Sequence, residues 1–98
     1  MSLPVRLRAV AQAEFDSAAD DYEARSPGLG ERFTRAVDEA FERIGRFPDL
    51  YAALFRDVRA ALVRRFPFVV LFRVLDDHVL VIAVLPAKGN PAAWEERE

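Results

Sequence analysis

The chain has no cysteine. That removes disulfides, thiolate metal sites and cysteine nucleophiles together, and it fits a reducing compartment. Histidine is nearly missing as well. His78 is the single one, in the polar stretch Asp76-Asp77-His78, which reads as a tight turn with the histidine exposed. A Ser–His–Asp site would have to recruit it, yet the aliphatic hydroxyls Ser2, Ser17, Ser26 and Thr34 all fall in the N-terminal part of the chain. With these shortages, a metal site would rest on carboxylates alone. The pairs Asp20-Asp21 and Asp76-Asp77 are adjacent, so their side chains point apart rather than toward one ion. Glycine-rich phosphate loops are absent too, because Gly28 and Gly30 follow a helical pattern and not a strand. The longest apolar run, Val79 to Ala87, is too short to span a bilayer. The opening MSLPVRLRAV lacks the apolar stretch of a signal peptide. The expectation is a soluble, cytoplasmic protein with no metal, no cofactor and no membrane contact.

What the chain does have is a high apolar content. It has 98 residues, of which 52% are hydrophobic, too many for a disordered segment and enough for one modest core. A single domain over 1–98 follows. The net charge is −2, which argues against a dedicated nucleic-acid binder. Its distribution is uneven. Residues 10–50 carry ten acids against five arginines, whereas residues 51–90 carry Arg56, Arg59, Arg64, Arg65, Arg73 and Lys88 against Asp57, Asp76 and Asp77. Such asymmetry fits either a face for an acidic partner or an ordinary solvated surface.

Periodicity predicts the elements. Leu3 to Ala9 alternates as a half-buried strand. Phe15, Ala18, Ala19 and Tyr22 then form one apolar helical stripe. Ser26-Pro27-Gly28 interrupts it, with Ser26 placed to cap the next helix and Pro27 at its first position. Leu29, Phe33, Val37, Ala40, Ile44 and Phe47 recur at helical spacing until Pro48. Strands are predicted over 58–66, 68–75 and 79–85, the last two apolar on both faces. A short helical segment follows from Pro91, anchored by Trp94. The order β-α-α-β-β-β predicts an α+β fold, with a helical hairpin packed on a small, mostly antiparallel sheet plus a short C-terminal helix.

The residues able to carry function are basic. Arg59, Arg64, Arg65 and Arg73 fall on the predicted strands and Lys88 in the loop after the last one. Guanidinium forks suit phosphate or carboxylate clamping. The alternative is that they pair with acids of the helical hairpin, or with nothing. Phe15, Phe33, Phe41 and Phe47 read as helix-borne core, and Phe66, Phe68 and Phe72 as strand core or edge. Trp94 either caps the core or docks a partner.

Four stretches in this order carry a resemblance: SPGLGERF, the helix ending in FPDLY, RDVRAALVRRFPFVVLFRV, and VIAVL…NPAAW. Together they resemble the RelE/ParE toxins of type II toxin–antitoxin systems, the plasmid-stabilisation class, from about Leu3 to Trp94. The resemblance implies the fold read above and a cognate antitoxin that wraps the toxin and covers its basic face. It leans to the ParE-like branch through SPGLGERF and RRFPFVV, which implies binding to DNA gyrase. Arg59, Arg64, Arg65, Lys88 and Trp94 are then the expected target-binding face. The RelE-like alternative is a ribosome-dependent mRNA endoribonuclease using Arg59, Arg65 and Lys88. Against that alternative, Pro86 stands where relatives often carry histidine, Gly89 where they carry arginine, and Phe68 where they carry tyrosine. A proline cannot exchange a proton, so these departures also fit a non-toxic member that only binds an antitoxin.

Overall fold

The computed structural model describes residues 2–87. Strand β1 (Val5–Leu7) leads into helices α1 (Ala9–Arg25) and α2 (Leu29–Arg46). A single 3-10 turn (Pro48–Leu50) precedes β2 (Ala53–Phe55), β3 (Val58–Leu62), β4 (Phe68–Val74) and β5 (Val79–Pro86). The sheet order is β1-β5-β4-β3-β2. Strand β1 runs parallel to β5, and the other neighbours are antiparallel. The expected α+β architecture is the observed one, with one strand more than the periodicity shows. The predicted C-terminal helix lies outside the described residues.

Both central strands are apolar on both faces, and each face has its own cluster. Val70 and Phe72 of β4 and Val79, Val81 and Val84 of β5 meet the helices, where Phe15, Phe33, Val37, Ala40 and Ile44 are buried. Val58, Val69, Leu71, Ile82 and Ala83 form the second cluster. The strands alternate between the two, as the pleat requires, until one irregularity. Leu71 pairs with Ala83 but Phe72 pairs with Val81, leaving Ile82 as an extra residue. A bulge of this kind turns two consecutive side chains to one face, which puts Ile82 and Ala83 together. Phe33 anchors the helix side with no exposed surface. Its ring sits 5.0 Å from that of Tyr22, 4.9 Å from Phe68 and 5.3 Å from Phe66.

The hairpin is closed differently from the sequence expectation. Ser26 does not cap α2; it ends α1, its N–H bonded to the Tyr22 carbonyl. Gly28 precedes α2 in a left-handed conformation (φ 86°) and offers no side-chain oxygen. The cap comes instead from the last turns of α1. The Glu23 carboxylate accepts from the N–H of Gly28 at 3.0 and 3.1 Å and from that of Gly30 at 3.0 Å. A negative group here satisfies orphan donors and meets the positive end of the helix dipole. Gly30 permits the approach: a Cβ there would lie 2.6 Å from the Ala19 carbonyl oxygen.

Other expectations are corrected. The strand expected over 58–66 ends at Leu62, because Arg65 takes a left-handed backbone (φ 71°) and Arg64 to Pro67 form the turn to β4. Arg64 and Arg65 are therefore turn residues. Phe47 is not core; α2 ends at Arg46, and the ring is 51% exposed beneath the Arg46 guanidinium. His78 is largely covered, its side chain 18% exposed with Nδ1 2.7 Å from Asp77 Oδ1. That hydrogen bond, reinforced by the charge of His78, holds the Asp77 carboxyl below its ordinary value. Strand β1 is shorter than expected and covers β5 only from Val79 to Val81. Beyond it, Arg8 donates to the Ile82 carbonyl at 3.1 Å and Glu14 accepts from the Val84 N–H at 3.0 Å. Side chains thus finish an edge that β1 leaves open.

Candidate functional site

The turn between β3 and β4 is held from below. Val63 N–H bonds the Phe68 carbonyl at 2.9 Å, and Phe68 N–H the Phe66 carbonyl at 2.8 Å. The Phe66 ring packs on Tyr22 at 5.1 Å and on Phe33. With its apolar side chains so engaged, the turn leaves Arg64 and Arg65 at the surface. They face α2. Leu29, Arg32 and Ala36 recur there at helical spacing, with Arg35 and Glu39 one further turn apart, so all five lie on one side of the helix. These residues and Phe66 line a cleft of about 390 Å³ with Arg64 and Arg65.

Its electrostatics are one-sided. Arg35 is paired with Glu31 at 2.6 Å on the exposed helix surface. Among the described residues, Arg32, Arg64 and Arg65 form no ion pair. Glu39 is the one acid in the lining, and Leu29, Ala36 and Phe66 supply the apolar part. Guanidinium groups around an apolar floor can hold carboxylates or phosphates by paired N–H bonds while an apolar group fills the space between.

The residues singled out from sequence are not all brought together. Arg64 and Arg65 share the cleft. Arg59 does not line it; its guanidinium donates to the Pro48 carbonyl at 2.8 Å and the Tyr51 carbonyl at 3.3 Å, with Asp49 Oδ1 at 3.5 Å. It therefore acts as a brace for the segment entering β2. Arg73 lies on β4 with Nε 3.2 Å from Asp57 Oδ1. Lys88, Gly89 and Trp94 lie outside the described residues. Arg32, Arg35 and Glu39 were missed from the sequence. Their signal was a second stripe on α2, beside the apolar one.

Two of the three departures from the family pattern turn out to be neighbours. Phe68 and Pro86 are directly paired across β4 and β5. Together with Ala18, Asp21, Tyr22, Arg25 and Pro67 they border a groove of about 280 Å³ beside α1. Where the resemblance places a tyrosine and a histidine, this chain has a ring and a proline in contact register. Among the described residues no group of three or more His, Asp or Glu side chains could hold a metal ion. No described helix is long and apolar enough to cross a membrane.

A family model described as the ParE toxin of the type II toxin–antitoxin system parDE matches residues 5–91. Among solved structures, the chain is similar to one of the chromosomal ParDE system of P. aeruginosa, at TM-score 0.77 and 18% identity over 89% of this chain and 98% of that one. It is also similar to one of the RelBE2 toxin–antitoxin complex of Mycobacterium tuberculosis, at TM-score 0.61 and 21% identity over 88% and 99%. At these identities the likeness is one of fold. No curated protein sequence matches the chain.

Proposed function

The chain belongs to the ParE toxin family of type II toxin–antitoxin systems, and from that premise we propose that it inhibits DNA gyrase and is held inactive by a cognate antitoxin. The observation that carries the gyrase reading is the Phe68–Pro86 pair. Metal-free RNA cleavage needs a group that takes a proton from the 2′-hydroxyl and one that returns a proton to the leaving oxygen. Neither a phenyl ring nor a proline can do this. A binding inhibitor needs no such group, and a chain of net charge −2 suits docking on protein better than on a dense phosphate surface. Arg64 and Arg65 form the exposed part of the target face, with Lys88 and Trp94 contributed by the chain beyond β5. Arg59 supports that face by bracing the Pro48–Tyr51 segment.

A second reading, ribosome-dependent cleavage of mRNA, draws on Glu39. It is a carboxylate beside arginines, the pairing that phosphodiester cleavage without metal can use.

The test is a supercoiling assay with purified gyrase and relaxed plasmid. The chain is expected to block supercoiling, the block to be relieved by the antitoxin, and Arg64→Glu with Arg65→Glu to abolish it. Undisturbed supercoiling at a molar excess of folded toxin would overturn the gyrase reading.

A further inference from the structure

Helix α2 carries a row of guanidinium groups along one side. Arg32 and Arg35 stand near its start and Arg43 and Arg46 in its last turn. Arg43 follows Arg32, and Arg46 follows Arg35, by about three helical turns, so all four return to the same side. The two pairs are separated by roughly 16 Å along the axis, at about 1.5 Å per residue. Arg64 and Arg65 close in on the first pair across the 390 Å³ cleft. Arg43 reaches the Leu62 carbonyl at 3.5 Å, which keeps its head group on the β3 side of the helix, the side of the cleft.

The acids are arranged around this row. Glu31 is paired with Arg35 at 2.6 Å and Glu42 with Arg46 at 3.8 Å, all four side chains exposed, so the pairs hold weakly and yield to a stronger anion. Glu31, Asp38 and Glu42 lie toward one flank of the row. Glu39 alone stands within it, between the two pairs. The other acids of the hairpin are on α1: Glu14, Asp16, Asp20, Asp21 and Glu23, against Arg25 as its one basic residue. The net charge of −2 hides this division between an acidic helix and a basic one.

Six arginines on one side call for a polyanion, and their spacing selects its form. A single strand laid along the row carries a phosphate every few ångströms and would set one against Glu39. Duplex DNA does not. Its major groove, about 12 Å wide, separates two walls of phosphates. Once the phosphates of the walls are counted, that span matches the distance between the arginine pairs. Glu39 then faces the open groove, where no phosphate lies. The narrow major groove of A-form RNA brings its walls closer than the pairs stand.

We propose that α2 rests across the major groove of duplex DNA, with Arg32 and Arg35 on the phosphates of one wall, Arg43 and Arg46 on those of the other, and Arg64 and Arg65 beside the first pair. The contact is to backbone and independent of sequence. The duplex is the one that gyrase holds, in which respect the inference rests on the gyrase reading. The acidic α1 keeps the affinity of the free chain low, so the contact adds to docking on protein and does not replace it.

The experiment is a fluorescence anisotropy titration of a short labelled DNA duplex with the full chain over a series of salt concentrations. Binding is expected at low salt, its logarithm falling with that of salt at a slope of about −4 to −5, for about five phosphates neutralised. Arg32→Gln with Arg35→Gln, and separately Arg43→Gln with Arg46→Gln, is each expected to make the slope shallower by about 2 and to weaken binding about tenfold to a hundredfold at low salt. Arg6→Gln, on the edge strand β1 at the far side of the sheet from β2, is expected to bind as the unaltered chain does. No binding of duplex at low salt by chain whose circular dichroism shows an intact fold would overturn the proposal. So would an equal loss in Arg6→Gln, or tighter binding of single-stranded DNA or of RNA than of duplex DNA. The titration contains no gyrase, so the two readings fail separately. A chain that binds duplex and leaves supercoiling untouched overturns the gyrase reading, and one that blocks supercoiling without binding duplex overturns this one.

Discussion

Replacing Gly30 by alanine sets two effects of opposite sign against each other. Helix propensity alone favours alanine by about 0.5–1 kcal/mol. The hairpin opposes it. The added Cβ would lie 2.6 Å from the Ala19 carbonyl oxygen, 2.9 Å from Glu23 Cβ and 3.0 Å from Glu23 Oε1. Carbon–oxygen contacts settle at about 3.3 Å or more, so α1 and α2 must separate by roughly 0.7 Å to relieve the first contact. Two of the clashing atoms are main chain or next to it and cannot simply swing away. Overpacking of this kind costs about 1–3 kcal/mol. The same shift draws the Glu23 carboxylate off the Gly28 and Gly30 N–H groups, and losing a helix cap costs about 1 kcal/mol. The net expectation is a destabilisation of about 1–3 kcal/mol, the clash outweighing the propensity. In a domain of this size the melting temperature then falls by roughly 5–20 °C. Thermal denaturation followed by far-ultraviolet circular dichroism reads it directly. Glu23→Gln, which keeps an acceptor but loses the charge, is the companion variant and is expected to fall by less. A melting temperature for Gly30→Ala equal to or above that of the unaltered chain would refute the close-approach argument.

Three further expectations follow from the same contacts. Arg59→Ala frees the carbonyls of Pro48 and Tyr51, costing about 1–2 kcal/mol, and hydrogen exchange is expected to quicken over residues 48–55. Phe33→Ala empties the centre of the aromatic cluster and is expected to cost about 3–5 kcal/mol in a chemical denaturation curve. Asp77 is expected to titrate below the ordinary carboxylate value of 3.8 in a pH series of carbonyl NMR shifts, and to return toward it in His78→Ala. Because its folded value is the depressed one, its contribution to stability is present above 3.8 and is lost as pH falls through the folded value.

Much of the fold is legible in the sequence because it rests on period. The stripe from Phe33 to Ile44 and the apolar runs in β4 and β5 name their own partners, a helix face and a two-sided strand. The parts that escape depend on geometry that no period records. Strand β2 is three residues long and its register with β3 slips between Ala53 and Phe55, so it leaves no alternation to read. The left-handed backbone of Arg65 is invisible in a run of strand-forming residues, and it carried the predicted strand four residues too far. Glu23 reaches α2 from the preceding helix, which a search for local caps at Ser26 does not find. The site is split the same way. Arg64 and Arg65 stand out as an adjacent pair, but their companions Arg32 and Arg35 become companions only when the hairpin folds onto the sheet. Arg59 looked equally available, and only the tertiary fold turns it toward the Pro48 and Tyr51 carbonyls.

The most direct measurement of the central claim is induced synthesis of the chain in a bacterial host lacking the antitoxin, with growth, the DNA-damage response and message integrity followed together. The account predicts arrested growth with filamentation, an induced damage response and intact messages, all reversed by the antitoxin. Messages cut within codons and supercoiling left normal would contradict it and place the chain with the ribonucleases. Unimpaired growth would contradict it in the other direction and make this a family member that binds an antitoxin without poisoning the cell.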